Sequence, residues 1–593
     1  QVPKSLGATV NTHTEQIRSL NNELNRVKKL EESTVSTATT ESGFTTVEAT
    51  TNGYFEDVKL EGKTLVNIAN CRNKVQDMFY KQGTGTATFE YINLTGAKFY
   101  VSTEVTQCLT YQLNEICDVG KTYTVVFTFN NQTNKNLGIF YSSTGYSVNN
   151  GGEEITQVKA NSSLFVKFTF NAVQGFKLAH SLVKATSETE YVEIKDLILL
   201  EGDHTQNPPS YFEGLKSVGQ SATTSEDGVD EIVVSSVNEN LFDGDKHSTL
   251  RQVNDYTETT SYANHFVEYS LLPNTDYTLS FDKYNNDPCW VAIVVDGYGT
   301  VNNSNMNFHK TYRTDINGIL RISIRANGSG DIGHKIKNVM LTQGTTPKPY
   351  APHQSDKKRL LYYNEETQTW EKPILREWDS IEKHANGKYY YHQRSGEVVL
   401  NGSEEWYYPE SQAGDTTILL YSRISDSKIN QSYPICDMFN GTYLNIWEPT
   451  NDIEGVFINH NKDCILRVNK AKLPTQDVEG FKQWLQANNV TVVYQLAEEK
   501  IYECTNIDLI TYANETNYIV ECGAITPRTT LKVHNNISNV VNILQKKVSL
   551  LENKFIQGLK QVLAGDMYSL AELLYPEDFV SEEESIDVPT LLI

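Results

Sequence analysis

The sequence of 593 residues lacks the features that would assign it to a membrane or to a disulfide-rich secreted class. No apolar run approaches the ~18 residues of a membrane-spanning helix, and no basic-then-apolar signal peptide opens the chain. The eight cysteines form no CxxC pair and are irregularly spaced, which argues against a zinc site. We expect reduced, buried thiols, although Cys108 with Cys117, or Cys504 with Cys522, could be neighbours in a sheet.

Clusters of Lys and Arg are also absent. The chain carries 51 basic and 74 acidic side chains, which gives a formal net charge of −23. A phosphate backbone is bound through clustered cations, and an anionic membrane attracts cations in the same way. We therefore expect neither nucleic acid nor a membrane surface as a partner, and the acidic surface mainly keeps a large protein soluble.

Motifs of the common catalytic and metal sites are missing too. The sequence contains no GxSxG, no GxxxxGK[ST], no HExxH and no EF-hand loop, and its twelve histidines are scattered. FDGDKH (242–247) could supply oxygens to a structural calcium ion, or it could form a plain polar turn. Cleavage of a glycosidic bond needs two carboxylates roughly 5 to 10 Å apart, and no pair stands out. We expect a non-enzyme without cofactor or metal, with a polysaccharide hydrolase as the alternative.

The residues that are abundant favour strands. Tyr (34) and Phe (22) are plentiful, Pro (16) and Met (5) are scarce, and Asn, Thr, Val and Ile are common. This bias is typical of strands joined by turns, and the length suggests about four domains.

An internal repeat organises the first half of the chain. IKDLILLEGDHTQNPP (194–209) resembles IKNVMLTQGTTPKP (336–349), and GKTYTVVFTFNN (120–131) resembles NTDYTLSFDKYNN (274–286). The second pair has an offset of 277 − 123 = 154 and the first pair 336 − 194 = 142, so one copy contains an insertion of 12 residues. Both copies also contain stretches of period two, which predict strands with one buried face.

The repeat predicts two tandem domains, 54–214 and 230–352, separated by a linker at 215–229. The closing strands of both copies are almost continuously apolar, as expected near the centre of a two-sheet sandwich, and the Gly and Pro that follow end them. The early Tyr-Thr-Leu-Ser-Phe strand and the late Ile-Lys-Asn-Val strand resemble carbohydrate-binding-module jelly rolls. Such modules recur in tail proteins of phages that infect Gram-positive bacteria.

A third β-rich domain is predicted at 353–527. Within LPTQDVEGFKQWLQANNVTVVYQLAEEKIYE (473–503), Val478, Phe481, Trp484 and Leu485 share one helical face, and a strand follows. This segment resembles one that occurs in tail-fibre and minor structural proteins of phages of low-GC Gram-positive hosts. The resemblance includes no chemical motif.

Heptad patterns occur near both ends and predict coiled coils at 1–33 and 528–565. The first is followed by a linker at 34–53, and the second by a terminal helix and acidic tail at 566–593. Either helix could instead lie on its own domain. The chain begins with Gln1 rather than Met, so we expect that a short N-terminal stretch is missing or removed. The seam positions predicted to drive oligomerisation are Ile17, Leu20, Leu24, Val27, Ile537, Val541, Leu544, Val548, Leu551 and Phe555.

Aromatic residues beside polar groups are the candidates for sugar binding, because an aromatic ring stacks on the apolar face of a pyranose. Trp290 precedes Val-Ala-Ile-Val-Val and therefore also reads as part of a core strand, whereas the Trp406 segment lies between acidic residues and a proline. At most two of the consecutive tyrosines 389–391 can point inward on one strand. The candidates are Trp290, Tyr298, Trp406, Tyr407, Tyr408 and Trp447.

Together these patterns predict a mainly β chain of tandem jelly-roll-like sandwiches flanked by short coiled coils. The resemblance implies a homotrimeric phage tail fibre or appendage, assembled in the host cytoplasm, that contacts other virion proteins and host wall polysaccharide. Three alternatives remain: a baseplate scaffold or head fibre that binds only virion proteins, a wall or capsule hydrolase, and a secreted bacterial adhesin.

Overall fold

The computed structural model describes residues 35–48, 52–71, 79–81, 87–93, 96–101, 109–111, 117–142, 153–172, 177–180, 190–222, 230–304, 307–314, 318–408, 416–424, 426–428, 433–444 and 453–534. Within them the chain is mainly β, as predicted. The predicted coiled-coil positions 17–27 and 537–555 lie outside the described residues.

The first half of the chain forms short strands and then two large modules. Residues 35–66 form β1 (Val35–Thr40), β2 (Phe44–Val47), β3 (Gly53–Tyr54), β4 (Asp57–Glu61) and β5 (Thr64–Val66). The first module contains α1 (Ile68–Cys71), β6 (Phe79–Lys81), β7 (Ala87–Asn93), β8 (Gly96–Val101), β9 (Leu109–Tyr111), β10 (Thr122–Asn131), β11 (Leu137–Ser142), β12 (Glu153–Val158), β13 (Ser162–Asn171), β14 (Lys177–His180) and β15 (Val192–Glu201). Strands β16 (Leu215–Ser217) and β17 (Val233–Asn238) precede the second module, which contains β18 (Leu250–Val253), β19 (Tyr256–Thr259), β20 (Val267–Ser270), β21 (Asp276–Lys283), β22 (Val291–Val295), β23 (Gly299–Asn303), β24 (Phe308–Arg313), β25 (Ile319–Ala326) and β26 (Lys335–Gln343).

The second half contains longer strands and one regular helix among the described residues. Its elements are β27 (Ser355–Arg359), β28 (Tyr362–Asn364), β29 (Thr369–Glu371), β30 (Ser380–Lys383), β31 (Tyr389–Leu400), β32 (Thr417–Arg423), β33 (Ile435–Cys436), β34 (Gly455–Ile458), β35 (Asp463–Asn469), α2 (Val478–Ala487), β36 (Val490–Glu503), β37 (Ile510–Thr511), β38 (Thr516–Glu521) and β39 (Arg528–His534). Helix α2 starts at its N-cap Asp477, whose carboxylate accepts from Gly480 N at 2.8 Å.

A central sandwich is assembled from segments that are far apart in sequence. One sheet has the order β1-β39-β4-β30-β31-β36-β33 and the other β2-β38-β17-β27. Their shared core contains Phe55, Leu60, Tyr391 and Tyr518, all buried. The stability of this core therefore depends on strands from both ends of the described chain.

Each of the other modules is inserted between two paired strands that belong to the central sandwich or, for β5 and β16, form a two-stranded sheet packed beside it. Val66 of β5 pairs with Leu215 of β16, and residues 67–214 between them form the first sandwich. Val237 of β17 pairs with Ser355 of β27 around the second sandwich, 239–354. Leu400 of β31 pairs with Val490 of β36 around a small insert, 401–489. Because each module leaves and returns at adjacent positions, the central sandwich stays continuous across the insertions.

This arrangement corrects the predicted boundaries. The predicted linker 34–53 forms strands β1 and β2 and the first residue of β3, and β1 pairs with β39 in the segment predicted as the start of a helix, 528–565. The predicted linker 215–229 begins with strand β16, and the predicted third domain 353–527 is only part of a discontinuous unit. Short polar strands such as β1 are only partly buried, so they carry no local apolar pattern, and pairing with distant strands determines their conformation.

The predicted duplication is visible in matching contacts. The Tyr123 hydroxyl accepts from Asp118 N at 2.8 Å, and the Tyr277 hydroxyl accepts from Leu272 N at 3.1 Å, with both residues shifted by 154 positions. Each copy also has an irregularity in register on the strand whose second residue is this tyrosine. The two modules therefore share one jelly-roll-like architecture.

A buried asparagine closes each of these sandwiches. Asn67 donates to the carbonyls of Leu197 (3.1 Å) and Phe212 (3.0 Å), and its Oδ1 accepts from Ala69 N and Leu199 N. This side chain joins the entry of the module, its last strand and its exit.

Asn240 repeats the pattern in the second sandwich. It donates to Val339 O (3.1 Å) and Ala351 O (2.9 Å) and accepts from Phe242 N (3.0 Å) and Leu341 N (3.2 Å). The strand partners 339 and 341 lie 142 residues after 197 and 199, which is the offset of the closing repeat. The repeated apolar phrase is therefore the strand that these asparagines hold.

The apolar closing strand of the first sandwich is buried on both faces. Ile194, Leu197 and Leu199 face its own core, whereas Ile198 and Leu200 pack against the core of the central sandwich. A strand in the middle one of three packed layers is buried on both faces, so its sequence is a continuous apolar run.

The six cysteines whose side chains the structure describes are buried thiols, as predicted, and Cys504 and Cys522 form no disulfide. Burial raises the pKa of Cys289 to about 11 and that of Cys464 to about 12. These thiols act as small apolar core residues.

The second sandwich should lose stability in acid because of His247. This side chain is 1% exposed, stacks on Phe242 at 4.6 Å, and its Nε2 lies 2.8 Å from the Tyr269 hydroxyl. Its Nδ1 has no hydrogen-bond partner within the described part of the chain, and burial lowers the pKa of His247 from 6.5 to about 4. The unfolded chain binds a proton at this histidine more readily than the folded chain does. The free energy of unfolding is therefore highest above about pH 6.5 and decreases by about 3 kcal/mol as the pH falls towards 4.

The measurement is urea unfolding at pH 7, 5.5 and 4, followed by tryptophan fluorescence; the part of the signal that Trp290→Phe lacks reports the second sandwich, because the other five tryptophans lie outside it. His247→Phe should be less stable at pH 7, because Tyr269 loses its partner, but it should lack this component of the pH dependence. An unchanged pH dependence in the variant would contradict the assignment to His247.

Candidate functional site

The sequence-predicted aromatic residues do not form one site. Trp406 is 7% exposed, its ring lies edge-to-face on Phe481 at 4.8 Å, and its Nε1 donates to Glu404 at 3.1 Å. The prediction that Trp406 binds sugar is therefore wrong. Helix α2 packs its apolar face against the rest of the small insert, and Trp406 lies under this face.

Buried and exposed side chains alternate along residues 406–408, as expected for an extended chain. Tyr407 is 48% exposed, stacks on Tyr421 at 5.4 Å and donates its hydroxyl to Glu405 at 3.0 Å. Tyr408 packs against the core of the small insert. Trp447 lies outside the described residues. Among residues 406–408, Tyr407 alone presents an open ring face.

Tyr298 lies at the edge of the second sandwich. It follows β22 in the turn to β23, and its hydroxyl donates to the carbonyl of Arg313. Its ring packs edge-on against Tyr312 at 5.5 Å. Although Tyr298 is 47% exposed, it contacts β24 of the sheet β18-β19-β26-β21-β24, at the opposite end of β22 from Trp290.

Trp290 is held at the surface by a tight turn. Asp287 accepts from Cys289 N at 2.8 Å, Cys289 adopts a left-handed conformation (φ 55°), and its side chain is fully buried. Trp290 directly precedes β22 and is the first of the alternate residues there whose side chains face outward. Its carbonyl accepts from Asn327 N at 3.0 Å. The indole is 40% exposed, so the alternative that Trp290 belongs to the core is wrong.

The outer face of the four-stranded sheet β20-β25-β22-β23 carries the Trp290 platform, defined by Phe266, Trp290, Ala292, Val294, Ser323 and Arg325. Val291, Ile293 and Val295 of β22 face the core, so Ala292 and Val294 face outward. These two and Ser323 are nevertheless buried. The exposed part of the platform is therefore formed by its larger side chains.

Two exposed aromatic rings lie at the ends of this platform. Phe266 is 44% exposed and lies opposite Ser323, one step beyond the pair Val267–Ile322, and Ser323 pairs with Val294. Four residues along β22 and two strand spacings separate it from Trp290, so the two Cα atoms are about 16 Å apart. This span suits several sugar rings rather than one.

The polar groups of the platform are fixed by hydrogen bonds. Arg325 lies opposite Ala292, and its guanidinium donates to Asn264 Oδ1 and to Ala326 O, the latter at 2.8 Å. Four residues earlier, Arg321 binds Glu268 at 2.9 Å and Asp296 at 3.3 Å. A preformed surface of this kind offers planar donors beside aromatic rings.

Sequence reasoning missed Phe266, Arg325 and Asn264. The signal was present in FVEYSL (266–271), where Val267, Tyr269 and Leu271 alternate with Phe266 and Glu268. Strand alternation places Phe266 on the polar face, which is unusual for a phenylalanine.

The first sandwich does not repeat the platform. At the offset of 154, Asn136, Gly138 and Phe140 stand where the second copy has Trp290, Ala292 and Val294. A Cβ on Gly138 would lie 2.4 Å from Cζ of Phe140, so the phenyl ring rests directly on this glycine. The duplicated fold therefore carries different surfaces.

Other described features give alternative locations. A cleft of about 840 Å³ lies between the first sandwich and the small insert, with the exposed rings of Tyr433 and Tyr443 at its rim. Tyr389 and Tyr391 are buried, and Tyr390 between them is half-buried beside His384. In FDGDKH, Asp243 accepts from Asp245 N at 3.1 Å, so its carboxylate caps a polar turn.

The described residues contain no group of three or more His, Cys, Asp or Glu side chains arranged to hold a metal ion. No helix among them is long and apolar enough to cross a membrane.

No family model matches the chain, and no curated protein matches it. Among solved structures, the CBM22-2 xylan-binding domain from Paenibacillus barcinonensis is 8% identical, with 23% of this chain and 98% of that domain covered, and a TM-score of 0.18. The CBM22-1–CBM22-2 tandem from the same organism is 9% identical over 51% of this chain and 100% of its own, with a TM-score of 0.17. A triple jelly-roll turret protein of an archaeal virus is 10% identical over 76% of this chain and 92% of its own, with a TM-score of 0.10. Similarities at these TM-scores carry no conclusion about the ligand.

Proposed function

We propose that this chain is a non-enzymatic structural protein of a phage tail, a fibre or appendage, that attaches to host cell-wall polysaccharide through the Trp290 platform. The observation that carries the proposal is a pair of exposed aromatic rings, Trp290 and Phe266, on the polar face of a rigid sheet. Exposed aromatic rings stack on the apolar faces of sugars, and the nearby donors on Arg325 suit their hydroxyl groups.

The placement on a phage tail derives from the sequence resemblance of the sandwiches and of residues 473–503. Inserted, rigid modules around a central sandwich suit a protein that presents surfaces at a distance from its anchor. The baseplate scaffold or head fibre remains the alternative within the virion, and a polysaccharide hydrolase the alternative of another class.

The test is binding of the purified chain to an array of bacterial wall glycans, together with an assay for reducing ends released from host wall polysaccharide. The proposal expects binding without release. Binding to no glycan would favour the scaffold, and measurable release would establish the hydrolase.

We further propose that the chain forms a homotrimer through its two heptad segments. Val35 of β1 pairs with His534 of β39, so both segments join the described part at neighbouring points and can enter one bundle. Changing Leu544 and Leu551 together to Asp should convert the oligomer to a monomer, because a buried carboxylate destabilises an apolar seam. Light scattering measures the mass; a wild-type monomer would contradict the proposal.

A further inference from the structure

Arg325 is a cation on the Trp290 platform that has no carboxylate partner among the described residues. Its guanidinium contacts the amide oxygen of Asn264 and the carbonyl of Ala326, both neutral acceptors. These contacts use Nε and Nη1, and they turn the side chain along the sheet. A guanidinium has five donors, so further donors remain for a ligand.

Arg321 provides the contrast on the same strand and the same face. It is ion-paired with Glu268 and Asp296, so this group of three has a net charge of −1. Four residues of extended chain separate it from Arg325, or about 13 Å. That distance exceeds the screening length of about 8 Å at physiological salt. Arg325 therefore determines the local potential at the centre of the platform.

The position of Arg325 lies between the two aromatic rings. Arg325 lies directly opposite Ala292, which is two residues from Trp290 on β22. On its other side, Arg325 is two residues from Ser323, which lies opposite Phe266. A sugar chain that stacks on both rings must pass this guanidinium. A planar fork of donors matches a carboxylate or a phosphate better than it matches a hydroxyl group.

We propose that the platform selects an anionic glycan, in which a carboxylate or phosphate on a sugar binds Arg325. The proposal rests on the proposed function of the platform and specifies its ligand class. The net charge of −23 over the whole chain does not oppose it at physiological salt, because charges beyond the screening length contribute little.

The experiment compares matched glycans of several backbones on one array, each in a neutral, a carboxylate-bearing and a phosphate-bearing form, at 0.15 M salt. The full chain should bind an anionic form about tenfold more tightly than its neutral counterpart. The two anionic forms distinguish a uronic acid from a phosphate-bearing wall polymer. Binding to neutral forms alone would overturn the anionic class and keep the proposed function, whereas binding to none would overturn both.

Variants assign the preference to Arg325. Arg325→Gln should lose about tenfold for the anionic form and less than about twofold for the neutral form, and Arg325→Lys should fall between, since Lys lacks the fork. Arg321→Gln, on the same strand and face, is the matched control and should change neither by more than about threefold. Asn264→Ala removes the Arg325 contact but keeps the cation, so it should retain the preference. An equal loss for both glycan forms in Arg325→Gln would contradict the proposal.

Discussion

Replacing Trp290 with Ala should lower the affinity of the chain for its glycan about a hundredfold, or about 2.7 kcal/mol. The indole is exposed at one end of the platform, and the turn at Asp287 and Cys289 fixes its backbone before any ligand arrives. A rigid ring loses little conformational freedom on binding, so most of its stacking energy contributes to affinity. Isothermal titration with the best-binding oligosaccharide measures the loss.

Tyr298→Ala is the matched control for this result. Tyr298 is a similarly exposed aromatic residue (47% against 40%) on the same module, but it lies beyond the opposite end of β22. Its removal should change affinity less than twofold, and neither variant should shift thermal unfolding by more than about 2 °C. Equal losses in both variants would mean that the platform is not the binding surface.

Replacing Asn240 with Ala should destabilise the second sandwich by about 4 kcal/mol. The side chain is 1% exposed and makes four hydrogen bonds, to the backbone of Phe242, Val339, Leu341 and Ala351. Alanine would leave buried donors and acceptors without partners, and each such group costs about 1–3 kcal/mol. Urea unfolding, followed by the part of the tryptophan fluorescence that is absent in Trp290→Phe, measures the change.

The equivalent change in the first sandwich, Asn67→Ala, should have an effect of similar size because it removes the same set of bonds. Asn286→Ala, at an exposed turn of the second sandwich, is the control and should stay within about 0.5 kcal/mol of wild type. If Asn240→Ala behaved like this control, the asparagine would not be what joins the entry, the last strand and the exit.

The repeat could be predicted from sequence because it depends on local patterns. Strands such as β10 and β21 carry their own period-two or apolar signature, and their closing partners repeat at fixed offsets. The central sandwich could not be predicted in the same way. Strand β1 pairs with β39, almost five hundred residues later, and nothing in either short polar segment specifies that partner. Insertion of whole modules between paired strands leaves no local signal.

The site was predicted in part. Trp290 was among the candidates, yet the apolar run after it favoured the core, because a tryptophan at the start of a strand can face either way. Trp406 looked exposed beside acidic residues, but helix α2 covers it. Phe266 was recognisable from strand alternation alone. The role of Arg325 could not be predicted, because it depends on which residues lie opposite on neighbouring strands.

A crystal structure of the chain with its best-binding oligosaccharide would locate the glycan on the protein. We expect sugar rings stacked on Trp290 and Phe266, with a carboxylate or phosphate of the glycan at Arg325. A glycan located instead in the cleft beside Tyr433 and Tyr443, or on the small insert at Tyr407, would contradict this expectation.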